Sequence, residues 1–293
     1  MGIESHRHHN ETARRRWGLL ARALTSNSNP SRPPGNEVVT NQPQDLISVR
    51  RISNFGLIKI SPLIDVDWFV YSAGDKFCMK IRHLNQILTP EDLMGFNNTG
   101  NVCVWPSEEV LAYYALGHRE EFFGKSVLEL GGGMSCLAGL YIAKYTDATR
   151  VHLTDGNENS VKNVRRIVAA NRLDHENDGK VDCSVLKWGE HVQDKYDIVL
   201  AADCLFFDSA RRDLVRTIWQ AMKSNGVGWI TAPRRGSTLD KFLEEAQNVG
   251  FKYRVSDSYN QDIWDRHLAL NRDCNYYNMD IHYPVFIILT KSL

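Results

Sequence analysis

The chain reads as an α/β protein: a mostly parallel sheet of seven strands with helices on both faces, entered through a small N-terminal antiparallel β unit. Three features predict this. From Gly124 onward, short apolar runs alternate with amphipathic stretches of helical length, the pattern of strands joined by crossover helices. Lys125 to Cys136 runs from an apolar strand through three glycines into a helix start, the form of a βα unit. The last apolar run, Val285 to Thr290, has no clear crossover helix before it, so the sheet is expected to end in an antiparallel insertion.

Residues 1–45 stand apart. They carry Arg7, Arg14, Arg15, Arg16, Arg22 and Arg32 against Glu4, Glu11 and Glu37, followed by the loop-like Ser26 to Gly35. Such a stretch buries too little apolar surface to offset its chain entropy, and a disordered tail is expected. Residues 46–100 form the β-rich unit, with apolar runs at Ile52 to Ile60, Asp67 to Ser72 and Lys76 to His83. Ser61-Pro62, Ala73-Gly74-Asp75 and Asn97 to Gly100 supply turns.

The main domain, 101–293, opens with Val102 to Glu109, an extended segment entering a helix. Pro106 suits the first turn of that helix, and Val110, Leu111, Tyr114 and Ala115 give it an apolar face. Strands are predicted at 126–130, 150–154, 181–186, 197–202, 226–232, 251–257 and 284–290. Helices fit at 135–145, 157–171, 209–223 and 238–249, and a long polar loop is expected after 257.

Composition excludes several classes of function. The 293 residues are 43% hydrophobic and 24% charged with zero formal charge, so no global field points to nucleic acid or to a membrane surface. No run of 18 apolar residues is long enough to span a bilayer. The six cysteines form no C-x-x-C pair, which fits a reduced, cytoplasmic and also nuclear setting, without a metal site. A monomer is expected.

The chemistry is expected at the carboxyl ends of the strands. Glu129, Gly131, Gly132 and Gly133 form E-x-G-x-G, and Cys136 stands where a dinucleotide fingerprint would need its third glycine. An acid two residues before a glycine turn suits a cationic amino group better than a pyrophosphate, and S-adenosyl-L-methionine carries such a group without a phosphate. Asp155, followed by Gly156 and Asn157, ends the next strand 26 positions after Glu129, close to the offset at which a carboxylate meets ribose hydroxyls. The same acid could instead cap the following helix. Trp188 follows the third strand, where it would cover a purine or simply the sheet edge. Asp203 ends the fourth strand, too far from the next helix to cap it, and a carboxylate there is costly to desolvate without a cationic partner.

These segments together resemble the seven-β-strand protein lysine methyltransferases: Trp105 to Glu108, Glu129 to Gly133, Leu153 to Asn157, Trp188, and Ala202 to Phe206. Within that family, Arg51 to Leu57, Val102 to Tyr114, Ala232 to Gly236 and His282-Tyr283-Pro284 resemble the branch that acts on calmodulin. The resemblance covers roughly residues 48–293. It implies the Rossmann-like, seven-stranded class I methyltransferase sheet, S-adenosyl-L-methionine as cofactor, and calmodulin as the protein substrate, with one lysine carried to the trimethyl state. By motif, Trp105, Glu129, Gly131 to Gly133, Asp155, Gly156, Asn157, Trp188 and Ala202 would line the cofactor. Ser135 stands where the general methyltransferase turn has a further glycine and would still donate a hydrogen bond. Asp203 to Phe206 matches the D-x-x-Y/F signature of the lysine channel, with Asp203 orienting the amine and Phe206 walling the cationic product. Arg234, Arg235 and Tyr283 would meet the substrate.

Rival readings leave different traces. A nicotinamide dehydrogenase would want a glycine at Cys136. An enzyme acting on base amino groups would show Asn/Asp-Pro-Pro-Tyr/Phe where Asp203-Cys204-Leu205-Phe206 stands. A non-catalytic binding module on the same scaffold, or a lysine methyltransferase for another protein, would share the motifs and differ in turnover.

Overall fold

The computed structural model of the chain describes residues 54–84, 103–174 and 180–291. The expected N-terminal tail and the Asn97 to Gly100 turn lie outside these residues.

The first sheet is antiparallel, in the order β1 (Lys59–Pro62), β2 (Trp68–Ala73), β3 (Phe77–Arg82). Its β1 is shorter than the run Ile52 to Ile60 suggested. Glu109, from the main domain, accepts the backbone N–H groups of Phe55, Leu57 and Ile58 at 2.5, 2.7 and 2.9 Å. Those donors are therefore lost to any ladder, and strand pairing begins only at Lys59. Ser61 and Pro62, expected in a turn, belong to β1 instead. The chain reverses after them, where Leu63 N–H donates to Trp68 O at 2.9 Å.

The main domain follows as α1 (Pro106–Gly117), β4 (Ser126–Leu130), α2 (Leu137–Tyr145), β5 (Arg150–Asp155), α3 (Glu158–Ala170), β6 (Val181–Val185) and β7 (Tyr196–Ala202). It continues through α4 (Arg211–Ala221), β8 (Met222–Ala232), α5 (Thr238–Val249), β9 (Phe251–Ser256), α6 (Gln261–Asp273), α7 (Met279–His282) and β10 (Val285–Lys291). The strand order is β6-β5-β4-β7-β8-β10-β9. All pairings in this sheet are parallel except those of β10, which runs antiparallel to both β8 and β9 as expected, although the segment before it holds two helices and not only a loop.

Period-2 alternation sorts the strand side chains into two layers. Val127, Val151, Leu153, Ile198 and Leu200 pack with Leu111, Tyr141 and Ile167 of α1, α2 and α3. Leu128, Leu130, Val199, Ala201 and Ile230 pack with Leu214, Ile218 and Phe242 of α4 and α5. Each such aliphatic residue stabilises the fold by about 1.5–3 kcal/mol on burial, so the alternation fixes strand orientation strongly. The small sheet leans on the α1–α3 face, where Asn163 of α3 donates to Arg82 O at 2.8 Å and to Met134 O at 2.9 Å.

Two expectations about helices change. Residues after 257 contain α6, not only loop. Of its residues only Ile263 and His267 are buried, one turn apart, a stripe too thin to stand out among polar neighbours. Conversely, α1 is buried almost all round, including Ser107, Glu108 and Glu109, because it is packed between the sheet and α2.

Candidate functional site

The chain runs β4, β5, β6 in one direction across the sheet and returns to place β7 on the other side of β4. Loops leaving β4 and β7 therefore diverge, and a crevice opens at their carboxyl ends. That crevice is a cleft open to solvent.

Its floor is the glycine turn. Gly131 has φ +62°, and a Cβ there would stand 2.9 Å from Trp188 Cζ2 and 3.0 Å from Cys204 Sγ, so only hydrogen fits. Cys136, in the third-glycine position of a dinucleotide fingerprint, adopts φ 48° and ψ 50° at the entry to α2. The left-handed turn is kept there without a glycine.

Glu129 lies beneath this turn, 1% exposed. One oxygen, Oε2, accepts the Gly139 N–H at 2.8 Å, an approach possible because residue 139 has no side chain. The other, Oε1, is buried and has no partner among the described residues. A buried carboxylate oxygen without a donor, at the edge of a cleft, is suited to a cationic N–H group from a ligand. Asp155, at the end of β5, accepts Gly133 N–H at 2.9 Å and Asn157 N–H at 2.8 Å, so it ties two strand-end loops together while lining the cleft.

Glu108, in the first turn of α1, also lines the cleft; the sequence shows it only as part of the Trp105 to Glu108 segment, with no role of its own. Two adjacent acids at a helix N-terminus read as solvated charges. Here Glu108 is buried and accepts hydrogen bonds from Leu137 N–H at 3.0 Å and from the Ser135 hydroxyl. Burial pushes its carboxyl up to about 7, opposed by the Ser135 and backbone hydrogen bonds. Burial, reinforced by the charge of Glu108, pushes Glu129 up to about 8. Burial also raises Asp155. Three carboxyls crowded in one cleft favour a cationic ligand.

Of the residues expected at the site, Trp105, Glu129, Gly131 to Gly133, Asp155, Gly156, Trp188, Ala202, Asp203 and Phe206 line this cleft together. Five do not. Ser135 is fully buried and spends its hydroxyl on Glu108. Asn157 caps α3, its side chain accepting from Asn159 N–H at 2.8 Å and Ser160 N–H at 3.3 Å. Tyr283 is 1% exposed, its hydroxyl donating to Asp257 O, so it faces the core and not a substrate. Arg234 is tied by Nη2 to both oxygens of Asp257 at 2.9 and 3.0 Å. Arg235 reaches Asp203: Nη1 meets Oδ1 at 2.6 Å and Nη2 meets Oδ2 at 3.0 Å. The two arginines are thus each paired with an acid of the same chain.

The comparisons agree with this architecture. A family model described as "Lysine methyltransferase" matches residues 87–249. Calmodulin-lysine N-methyltransferase of Arabidopsis thaliana is 37% identical over 206 residues, 67% of this chain and 67% of that protein. Histone-arginine methyltransferase METTL23 of Homo sapiens is 32% identical over 124 residues, 42% of this chain and 64% of that protein. A solved structure from Streptococcus mutans, assigned to the S-adenosylmethionine-dependent methyltransferases, superposes with a TM-score of 0.51 at 15% identity over 78% of this chain and 57% of its own. A glycine turn too tight for side chains, an acid with an unmet oxygen and a Rossmann-like sheet fit S-adenosylmethionine as the cofactor, and the chain belongs to the lysine methyltransferase family.

Proposed function

We propose that this protein methylates a lysine of calmodulin, with the acceptor amine entering beside Asp203 and Phe206. The observation that carries the reading is the position of that acid–aromatic pair on the rim of the same cleft that holds the glycine turn. The similarity to the plant calmodulin-lysine enzyme supports the substrate.

Glu129 Oε1 would hold the cofactor's amino group, Asp155 its ribose hydroxyls, and Trp188 the face of its base. When bound, the cofactor supplies an electrophilic methyl group on a sulfonium, which needs neither a metal nor a covalent enzyme intermediate. The remaining work of the chain is alignment at about 3 Å, which by itself supplies much of the rate. Asp203, 6% exposed at the end of β7, orients the amine, and Phe206 offers a π-face to the cationic product. The amine must arrive without its proton, which leaves to solvent.

Incubating the full chain with labelled S-adenosylmethionine and unmodified calmodulin, then mapping the label by mass spectrometry, tests this. Label on a lysine is expected. Label on arginine would favour the chemistry of the histone-arginine relatives, and cofactor binding without any transfer would favour a non-catalytic module. Asp203→Ala is expected to lose most turnover and keep cofactor affinity within about twofold, less than the effect of one neutral hydrogen bond.

A further inference from the structure

Asp203 enters the cleft already paired. Both of its oxygens meet the Arg235 guanidinium, and the side chains are 5% and 21% exposed. The guanidinium also lies over the Phe206 ring, 5.4 Å from its centroid. A cation therefore already meets the acid, and covers one face of the aromatic ring, that the proposed reading gives to the substrate's amine.

The pairing is held from both sides. Asp203 and Arg235 have φ of 54° and 45°, the left-handed region that is strained for a residue with a side chain. Arg235 N–H donates to Asp280 O at 2.8 Å, and Gly236 N–H donates to Asp280 Oδ2 at 2.8 Å, so α7 clamps the loop that carries the guanidinium. Strained backbone kept by such clamps collects where a ligand is handled. A bidentate Arg–carboxylate pair of this kind is geometrically fixed, unlike a solvated surface contact.

We propose that Arg235 is a positioning residue that sets the charge of the acceptor site: by neutralising Asp203, it lets the incoming lysine amine shed its proton. This rests on the lysine reading above. A free lysine amine has a pKa near 10.4, so at pH 7 only roughly four in ten thousand are ready to attack. A lone carboxylate beside it would raise that value by about 1–3 units and hold it as an unreactive ammonium. With the guanidinium in place, Asp203 can still accept an N–H and aim the nitrogen, yet the pair as a whole carries no charge.

Other charged groups facing this corner do not replace Arg235. Asp280 of α7 points its carboxylate to Gly236 N–H, and Arg234 is spent on Asp257. Glu108, Glu129 and Asp155 lie in the same cleft with Lys187, and burial holds the three acids toward their neutral forms, so none of them supplies the countercharge that Arg235 gives Asp203.

The test is kcat against pH for the full chain with S-adenosylmethionine and calmodulin, in wild type, Arg235→Gln, Arg235→Lys and the double variant Asp203→Asn with Arg235→Gln. In Arg235→Gln the rising limb is expected to move alkaline by about one unit or more, with kcat at neutral pH down at least about tenfold and KM for calmodulin unchanged or lower. Arg235→Lys keeps the charge and should stay near the wild-type midpoint. The double variant has neither charge, so its midpoint should return to wild type although its kcat is low. Melting curves and product-analogue affinity check that each variant is folded. An Arg235→Gln profile with the wild-type midpoint overturns the proposal, and a higher kcat with lower KM would make Arg235 a latch displaced by substrate. If Arg235→Gln does not fold, an alkaline midpoint in the double variant overturns it equally. Failure of wild type to modify any lysine overturns the lysine reading and this inference together; wild-type transfer with an unmoved profile overturns the inference alone.

Discussion

Asp155 Oδ2 accepts the backbone N–H of Gly133 at 2.9 Å, so the acid at the end of β5 holds the turn that follows β4. One side chain thereby shapes the cofactor's floor while facing the cofactor's expected ribose. Asp155→Ala is expected to weaken S-adenosylmethionine binding by about 10- to 150-fold, the loss of one charge-assisted hydrogen bond of 1.5–3 kcal/mol. Calorimetric affinity within twofold of wild type would remove Asp155 from the site.

Gly131→Ala tests the closeness of the floor. The added methyl would stand 2.9 Å from Trp188 and 3.0 Å from Cys204 in a backbone with φ +62°. We expect a stability loss of about 1–2 kcal/mol from the left-handed strain, together with weaker cofactor binding as Trp188 is displaced. Denaturant titration and calorimetry on the same preparation separate the two, and an unchanged affinity would mean that Trp188 does not touch the ligand.

Glu109→Ala addresses the join between the small sheet and the main domain. It would strand the N–H groups of Phe55 and Ile58, which are buried, and of Leu57, which is half-buried. Each unmet donor costs about 1–3 kcal/mol, so a loss of at least 3 kcal/mol in chemical denaturation is expected. A loss under 1 kcal/mol would imply that water reaches these groups freely.

The cleft acids should make cofactor binding pH-dependent. Glu108 and Glu129 are raised from an ordinary 4.5 to about 7 and about 8. The folded, ligand-free protein binds protons more tightly than the unfolded chain, so their stabilising effect is complete below about 4.5 and is lost as pH rises through 7–8. A cationic ligand favours the ionised acids, so its affinity should rise over the same window and its binding should release protons. Calorimetry at about pH 6.5 in buffers of different ionisation enthalpy reads this directly. Heats that do not depend on the buffer would contradict it, and Glu108→Gln should reduce the release.

Much of this was legible in the sequence because it is local. Strand-end acids, glycine turns and period-2 runs sit within a few residues of one another, and each of the seven main-sheet strands falls within a few residues of its expected place. What failed to read was decided by distant partners. The run from Ile52 could not show that Glu109, more than fifty residues away, would take its donors. The thin stripe of α6 acquires meaning only where His267 meets Tyr277 Oη, 2.7 Å away, and packs on the buried Tyr283 ring.

By itself, then, the sequence determined the alternation of elements, the E-x-G-x-G turn, Asp155 and Asp203 at strand ends, and the family these imply. Tertiary structure alone decided which charges are free. Glu108 and Ser135 became a buried pair because α1 packs against the start of α2. Arg234 and Arg235, adjacent in the chain and alike in composition, were sent to Asp257 and Asp203 by a left-handed turn at residue 235. A charge's partner depends on where folding brings a countercharge within about 4 Å, and spacing along the chain does not carry that distance.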